Sequence, residues 1–180
     1  MRLCLVPDFK AHSYGEAQIF AQKTVCNILA HTLWGQIYCG QTQDQDQDIT
    51  KEHTRLRLMA AIGHVIMNRT LYAWECGGYW WGNGIVPVCM KPAQFACWNP
   101  ANAKHMRLYQ NEDCANTHTR WDCLRIARLI LANRLPDPTQ GATHYEPWET
   151  YKARTHKPRF LGKIMMIHTY AFYRTVPFLV

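Results

Sequence analysis

Apolar residues recur at helical spacing in three segments of this chain, and turn-rich stretches between them carry many of the aromatic side chains. In KTVCNILAHTLWG, Val25, Ile28, Leu29 and Leu33 share one face, which predicts an amphipathic helix that stops at Gly35. In LRLMAAIGHVIMNR, Leu58, Ala61, Ile62, Val65 and Ile66 form a second stripe. Gly63 in its middle points to close packing against another helix rather than to a break. In THTRWDCLRIARLILANRLPDP, Leu124, Ala127 and Leu131, with Ile126 and Ile130 beside them, predict a third helix, with Thr119 as N-cap and Pro136 marking its end. The C-terminal GKIMMIHTYAFYRTV fits helix and strand periods in part; Tyr170, Phe172 and Tyr173 favour strand near its end.

The intervening ECGGYWWGNGIVPVCMKPAQFACWNP and LPDPTQGATHYEPWE combine Gly, Pro and Asn with Trp, Tyr, Phe and His, the composition of loops that hold sites. QTQDQDQD, residues 41–48, is polar without apolar period and reads as a solvated loop. Asp44, Asp46 and Asp48 alternate as in a calcium loop, but the turn glycine and the distal bidentate Glu are missing. The expected fold is α-rich (α+β), helices packed around a loop-built groove with room for a small β-sheet.

With 180 residues the chain suits one domain with a real core. A hydrophobic fraction of 48% and an aromatic fraction of 12% exclude disorder. No apolar run approaches the roughly 18 residues of a membrane helix. Pro7, Asp8 and Lys10 interrupt the N-terminus, which therefore does not read as a secretory signal. A net charge of +7 and a pI near 9.1 favour polyanionic partners: nucleic acid, an anionic membrane surface or a bacterial wall. The basic residues are scattered, which argues against a dedicated nucleic-acid arm. The eight cysteines form no C-x-x-C pair, so they read mainly as reduced, buried small hydrophobes.

Three motifs carry chemistry in combination: LAHTLWGQIYCGQ (29–41) followed by MAAIGHVIMNR; VCMKPAQFACW (88–98); and IARLILANRLPDPTQGATHY (126–145) with IHTYAFYR (167–174) after it. In this order they resemble the catalytic domain of SleB-type cell wall hydrolases, the spore-cortex-lytic enzymes and their bacterial and phage relatives. The resemblance spans about 29–174, with 1–24 as an N-terminal extension and 41–57 as a polar insertion in a single domain of 1–180. It implies a lysozyme-like helical fold whose groove takes a peptidoglycan glycan strand. It also implies cleavage between N-acetylmuramic acid and N-acetylglucosamine, often by lytic transglycosylation. In that chemistry one carboxylic acid protonates the glycosidic oxygen, and its conjugate base helps the muramic 6-hydroxyl close an anhydro ring.

The resemblance assigns the family's catalytic Glu to Gln36, after Trp34-Gly35, and its second Glu to Gln41. An amide is nearly isosteric with the acid but has no proton to give. The chain is therefore either an impaired enzyme, a silent glycan-binding or phage structural protein on the same fold, or an enzyme with another acid. Glu52 and Glu146 are the candidate substitutes; Glu16 in SYGEAQ mimics the motif by chance. Gln94, Phe95, Trp98, Thr143, His144, Tyr145 and Tyr173 are the expected substrate-binding residues, while Phe95 is equally readable as core and Trp98 and Tyr173 more readily so. Tyr170 replaces the family's last His, and Trp80 and Trp81 suit a sugar platform or a protein-docking patch. No metal or other cofactor is expected. The expected partner is the glycan strand, bound by a monomer that stays cytoplasmic until release and acts at the wall, as in phage lysis or a virion. A basic nucleic-acid-binding protein is the alternative from charge alone.

Overall fold

Every residue from Leu58 to Ile66 is buried, which a helix can achieve only when neighbours surround it. This segment is the middle of α2 (Ile49–Glu75), the central helix of a computed structural model that describes residues 14–38, 49–75, 80–101, 117–155 and 160–175. Sequence periodicity shows a stripe there. The structure adds Met59, Ala60 and His64 to the buried set, because packing covers α2 on all sides. His64 tolerates this position because its Nε2 lies 3.0 Å from the Leu135 carbonyl oxygen.

Around α2 pack α1 (Tyr14–Tyr38), α3 (Ile85–Met90) and α4 (Thr117–Leu131). A three-stranded antiparallel sheet of order β1-β3-β2 completes the core: β1 (His144–Pro147), β2 (Phe160–Ile167) and β3 (Tyr170–Thr175). The short α5 (Trp148–Ala153) follows β1 directly. Pairing sets His144 opposite Tyr173, Tyr145 opposite Phe172 and Glu146 opposite Ala171. The expected strand character of the C-terminal segment extends back through β2, and His168 (φ 54°) turns the β2–β3 hairpin. The α-rich α+β class is thus the observed one, small sheet included.

Gly63 acts as its position suggests. A Cβ built there would stand 2.4 Å from Ile130 Cδ1 of α4 and 3.7 Å from Leu33 Cδ2 of α1. The glycine lets three helices meet at one level. Three expectations need correction. Gly35 does not end the first helix: it is buried inside α1, which runs on to Tyr38. Burial of Leu33, Trp34 and Ile37 on either side of Gly35 outweighs a glycine penalty of about 1 kcal/mol. Thr119 is not an N-cap, since α4 begins at Thr117; its hydroxyl instead accepts from Arg55 at 2.6 Å. Pro136 is not the stop. Asn133 (φ 53°) closes α4 in a Schellman arrangement, with Asn133 N bonding Ile130 O at 2.9 Å and Arg134 N bonding Leu129 O at 2.8 Å. Residues 49–57 form the first part of α2, and Arg55 there ties to Asp122 of α4 at 2.7 Å.

Cys26, Cys89, Cys97 and Cys123 are free thiols, the last three buried. Burial pushes the Cys89 and Cys123 thiols up to about 12, so both stay neutral small hydrophobes at physiological pH. Cys4, Cys39, Cys76 and Cys114, the Asp-rich loop with Asp44, Asp46 and Asp48, and Gln41 lie outside the described residues.

Gly63→Ala gains helix propensity but overpacks against Ile130, for a net loss of about 1 kcal/mol. Urea unfolding checks this. The loss shrinks in an Ile130→Val background, which removes the offending Cδ1.

Candidate functional site

Because α1 continues past Gly35, Gln36 stands in its last turn and faces the elements that cap this end of the core. The side chain is half-buried. Its Oε1 accepts from the Tyr145 hydroxyl of β1 at 2.8 Å, and its Nε2 donates to Cys97 Sγ at 3.6 Å. Cys97 belongs to a 3₁₀ turn (Ala96–Trp98). The same turn is tied to α1 again through Trp98 Nε1, which donates to Thr32 Oγ1 at 2.8 Å. Thr32 lies one helical turn before Gln36, so both side chains face the 3₁₀ turn. Burial raises the Tyr145 phenol above its ordinary range, and it remains a proton donor to the amide.

Arg69 holds the elements that carry these groups. Its Nε donates to the Thr143 carbonyl at 2.7 Å, and a terminal nitrogen donates to Gln94 Oε1 at 2.9 Å. Gln94 Nε2 in turn donates to the Trp81 carbonyl at 2.6 Å. The guanidinium carbon sits 5.9 Å from the Trp81 ring centroid and 5.3 Å from that of Phe95. Beside it, Asn68 Nδ2 donates to Asp137 Oδ2 at 2.9 Å and to the Ala142 carbonyl at 3.0 Å. Asp137 organises the DPTQGAT turn by accepting from Thr139 N (2.7 Å), Thr139 Oγ1 (2.6 Å) and Gly141 N (2.8 Å). Burial alone would raise the Asp137 carboxyl. The Thr139, Asn68 and Gly141 bonds together outweigh it and hold the group below the usual range. Neighbours on α2, Asn68 and Arg69 thus set the path of the chain into β1.

Strand alternation then divides the THYE residues. Tyr145 reaches Gln36, so His144 and Glu146 point to the other face. There His144 stacks on Tyr173 at 5.4 Å and meets the edge of Trp81 at 5.8 Å. Burial first, and then the Arg69 charge, pull the His144 imidazole down to about 4. Thr143, itself buried, has its hydroxyl 2.9 Å from His144 Nδ1. Glu146 is buried and fully engaged. One oxygen accepts from Tyr173 OH at 2.7 Å, and the other accepts from Arg154 at 2.9 and 3.0 Å.

The structure therefore brings Gln36, Tyr145 and Trp98 to one end of the core and separates Glu146 from them by the thickness of a strand. Glu52 is exposed on α2, where its carboxylate lies within 4.8 Å of His118 and Asp122 atoms of α4. These three have donor types that suit a cation. Asp122, however, already accepts from Arg55 at 2.7 Å and lies 3.5 Å from Arg125, so its charge is answered by protein groups. Phe95 is 1% exposed and belongs to the core, as does Tyr173 at 4%. Arg69, Asn68, Asp137 and Cys97 were not singled out from the sequence. The signal for Arg69 was nonetheless present, as a charge at the end of an otherwise apolar stripe in HVIMNR.

The family model for cell wall hydrolases matches residues 55–173, about two thirds of the chain, and the chain belongs to that family. The match covers most of α2, the Trp80–Trp98 wall, the DPTQGATHY turn and most of β3, and it begins downstream of Gln36. Comparison with curated proteins and with solved structures gives no match. Family membership supports a role in peptidoglycan hydrolysis in general terms. Among the described residues, no helix is long and apolar enough to cross a membrane.

Two outcomes follow from this geometry. Arg69→Ala leaves Gln94 and the Thr143 carbonyl without their donor and lowers stability by about 3 kcal/mol in urea unfolding. The folded chain resists protonating His144 between its ordinary 6.5 and about 4, whereas the unfolded chain does not. Stability therefore falls as pH drops through that window. Urea midpoints at pH 7 and pH 5 should show a shallower fall for His144→Gln than for the unaltered protein.

Proposed function

We propose that this protein engages the glycan strand of peptidoglycan at Gln36 and is a silenced member of its family, one that binds the strand without cleaving it efficiently. The observation that carries this reading is the Gln36 amide, held at both ends by Tyr145 and Cys97 in a half-buried position on a helix end. That is the position the family resemblance gives to the catalytic acid. An amide there keeps the shape and the hydrogen bonds of a carboxyl group but supplies no proton to a leaving glycosidic oxygen.

The alternative acids are poorly disposed for the task. Glu146 is committed to Arg154 and Tyr173 on the far strand face, and Glu52 lies in the α2–α4 cluster. With an acid restored at position 36, the reaction expected is lytic transglycosylation. Residue 36 would protonate the oxygen between N-acetylmuramic acid and N-acetylglucosamine, then accept the proton of the muramic 6-hydroxyl as the anhydro ring closes. Tyr145, kept protonated by burial, would orient that carboxyl through the bond it now makes to the amide. Trp98, half-buried beside it, is the expected lining of the groove.

The test is muropeptide analysis of purified sacculi incubated with the unaltered protein or with Gln36→Glu, alongside sacculus sedimentation for binding. Both proteins are expected to bind. Gln36→Glu should release anhydro-muropeptides at least about 10²-fold faster than the unaltered chain. Efficient release by the unaltered protein would overturn the silencing. Absence of both binding and release in both proteins would overturn the glycan reading itself.

A further inference from the structure

Trp80 is the most exposed large apolar side chain among the described residues, at 76%. An indole in water forgoes the transfer energy it would gain by burial, and its surroundings keep it exposed. They hold it in place. The Lys91 ammonium lies 5.5 Å from the ring centroid, over one face, and donates a hydrogen bond to the carbonyl of Trp80 itself. One side chain thus grips both the ring and the backbone of the residue.

The backbone on the other side of Trp80 is equally constrained. Trp81 is half-buried, its ring 5.5 Å from Tyr72 and its carbonyl bonded to Gln94. Gly82 (φ 129°) and Gly84 (φ 106°) then turn the chain into α3 through backbone conformations that side chains rarely adopt. A Cβ on Gly82 would come within 2.7 Å of the Pro87 carbonyl carbon, so that turn cannot accept another residue unchanged. The wall that begins at Trp80 ends at the 3₁₀ turn whose Cys97 meets Gln36.

A flat ring that is 76% exposed and has a cation over it is suited to stacking. Its exposed surface suits the axial C–H surface of a pyranose, which is apolar and ring-sized. A protein-docking patch would need contiguous apolar surface of several hundred Å². The Trp81 that follows is half-buried against Tyr72, Gly82 and Asn83 come next, and the Lys91 charge lies over the Trp80 ring. We propose that Trp80, held by Lys91, is a saccharide-stacking subsite that takes a hexosamine ring of the glycan strand further along than the ring at Gln36. This rests on the glycan-binding reading above. The subsite needs no proton transfer, so it contributes to binding whether residue 36 is Gln or Glu.

The experiment uses the full chain, with purified sacculi for sedimentation and a soluble N-acetylglucosamine hexamer for titration. The variants are Trp80→Ala, Trp80→Tyr, Lys91→Met and Trp121→Ala. Trp121 serves as the control because it is also exposed, at 62%, but sits on α4. Trp80→Ala is expected to weaken both interactions at least about fivefold, with Trp80→Tyr retaining most of the affinity and Lys91→Met falling between. Trp121→Ala should bind like the unaltered protein. Unchanged binding by Trp80→Ala overturns the subsite while leaving the glycan reading standing. Equal loss in Trp121→Ala overturns it as well, by exposing general adsorption through indoles. If the unaltered protein binds neither probe, the glycan reading fails and the subsite with it.

Discussion

A buried guanidinium ties this domain together. Arg69 is 8% exposed, and a charge in that position is costly unless its donors are answered. Its answers come from Thr143 at the entry to β1, Gln94 on the loop wall, and the ring faces of Trp81 and Phe95. Each of these belongs to a segment with little regular structure of its own. Without a common anchor, the Trp80–Trp98 wall and the DPTQGATHY turn have few reasons to keep a fixed distance from each other. Placed on the central helix, the anchor also sets both against the part of the molecule least able to move. The adjacent Asn68 acts in the same way on the Asp137 turn, and so α2 serves as core and template together.

The candidate site is a consequence of that template. Arg69 delivers the chain into β1 at Thr143, and pleat alternation then sends Tyr145 one way and His144 and Glu146 the other. One face of four residues receives the group that meets Gln36. The opposite face receives a buried acid neutralised by Arg154 and an imidazole kept uncharged by burial and by Arg69. The two carboxyl-bearing or carboxyl-like groups near this strand therefore have different fates. Gln36 is half-buried and hydrogen-bonded to neutral partners, whereas Glu146 is locked in an ion pair. An amide at position 36 makes these contacts without placing an ionisable group in a partly desolvated site.

What the sequence by itself determined was carried by periodicity and by local chemistry. The helical stripes through Leu29, Ile62 and Ile126, the close approach at Gly63, and the strand character of Tyr170 to Tyr173 were all legible, because burial imposes spacing on the chain. The KPAQFACW and DPTQGATHY motifs were legible for a related reason: tight turns and buried amides permit few residue types. Tertiary structure alone decided where the helices end and which polar residues meet. Gly35 and Thr119 carry strong local signals for a boundary; at Gly35 packing outweighs a glycine penalty of about 1 kcal/mol, and at Thr119 the hydroxyl bonds Arg55 of α2 inside α4. The meeting of Gln36 with Tyr145 and Cys97, the anchoring by Arg69, and the separation of Glu146 depend on contacts between residues far apart in the chain. Spacing along a sequence records which face a residue occupies on its own element. It does not record which other element that face will meet.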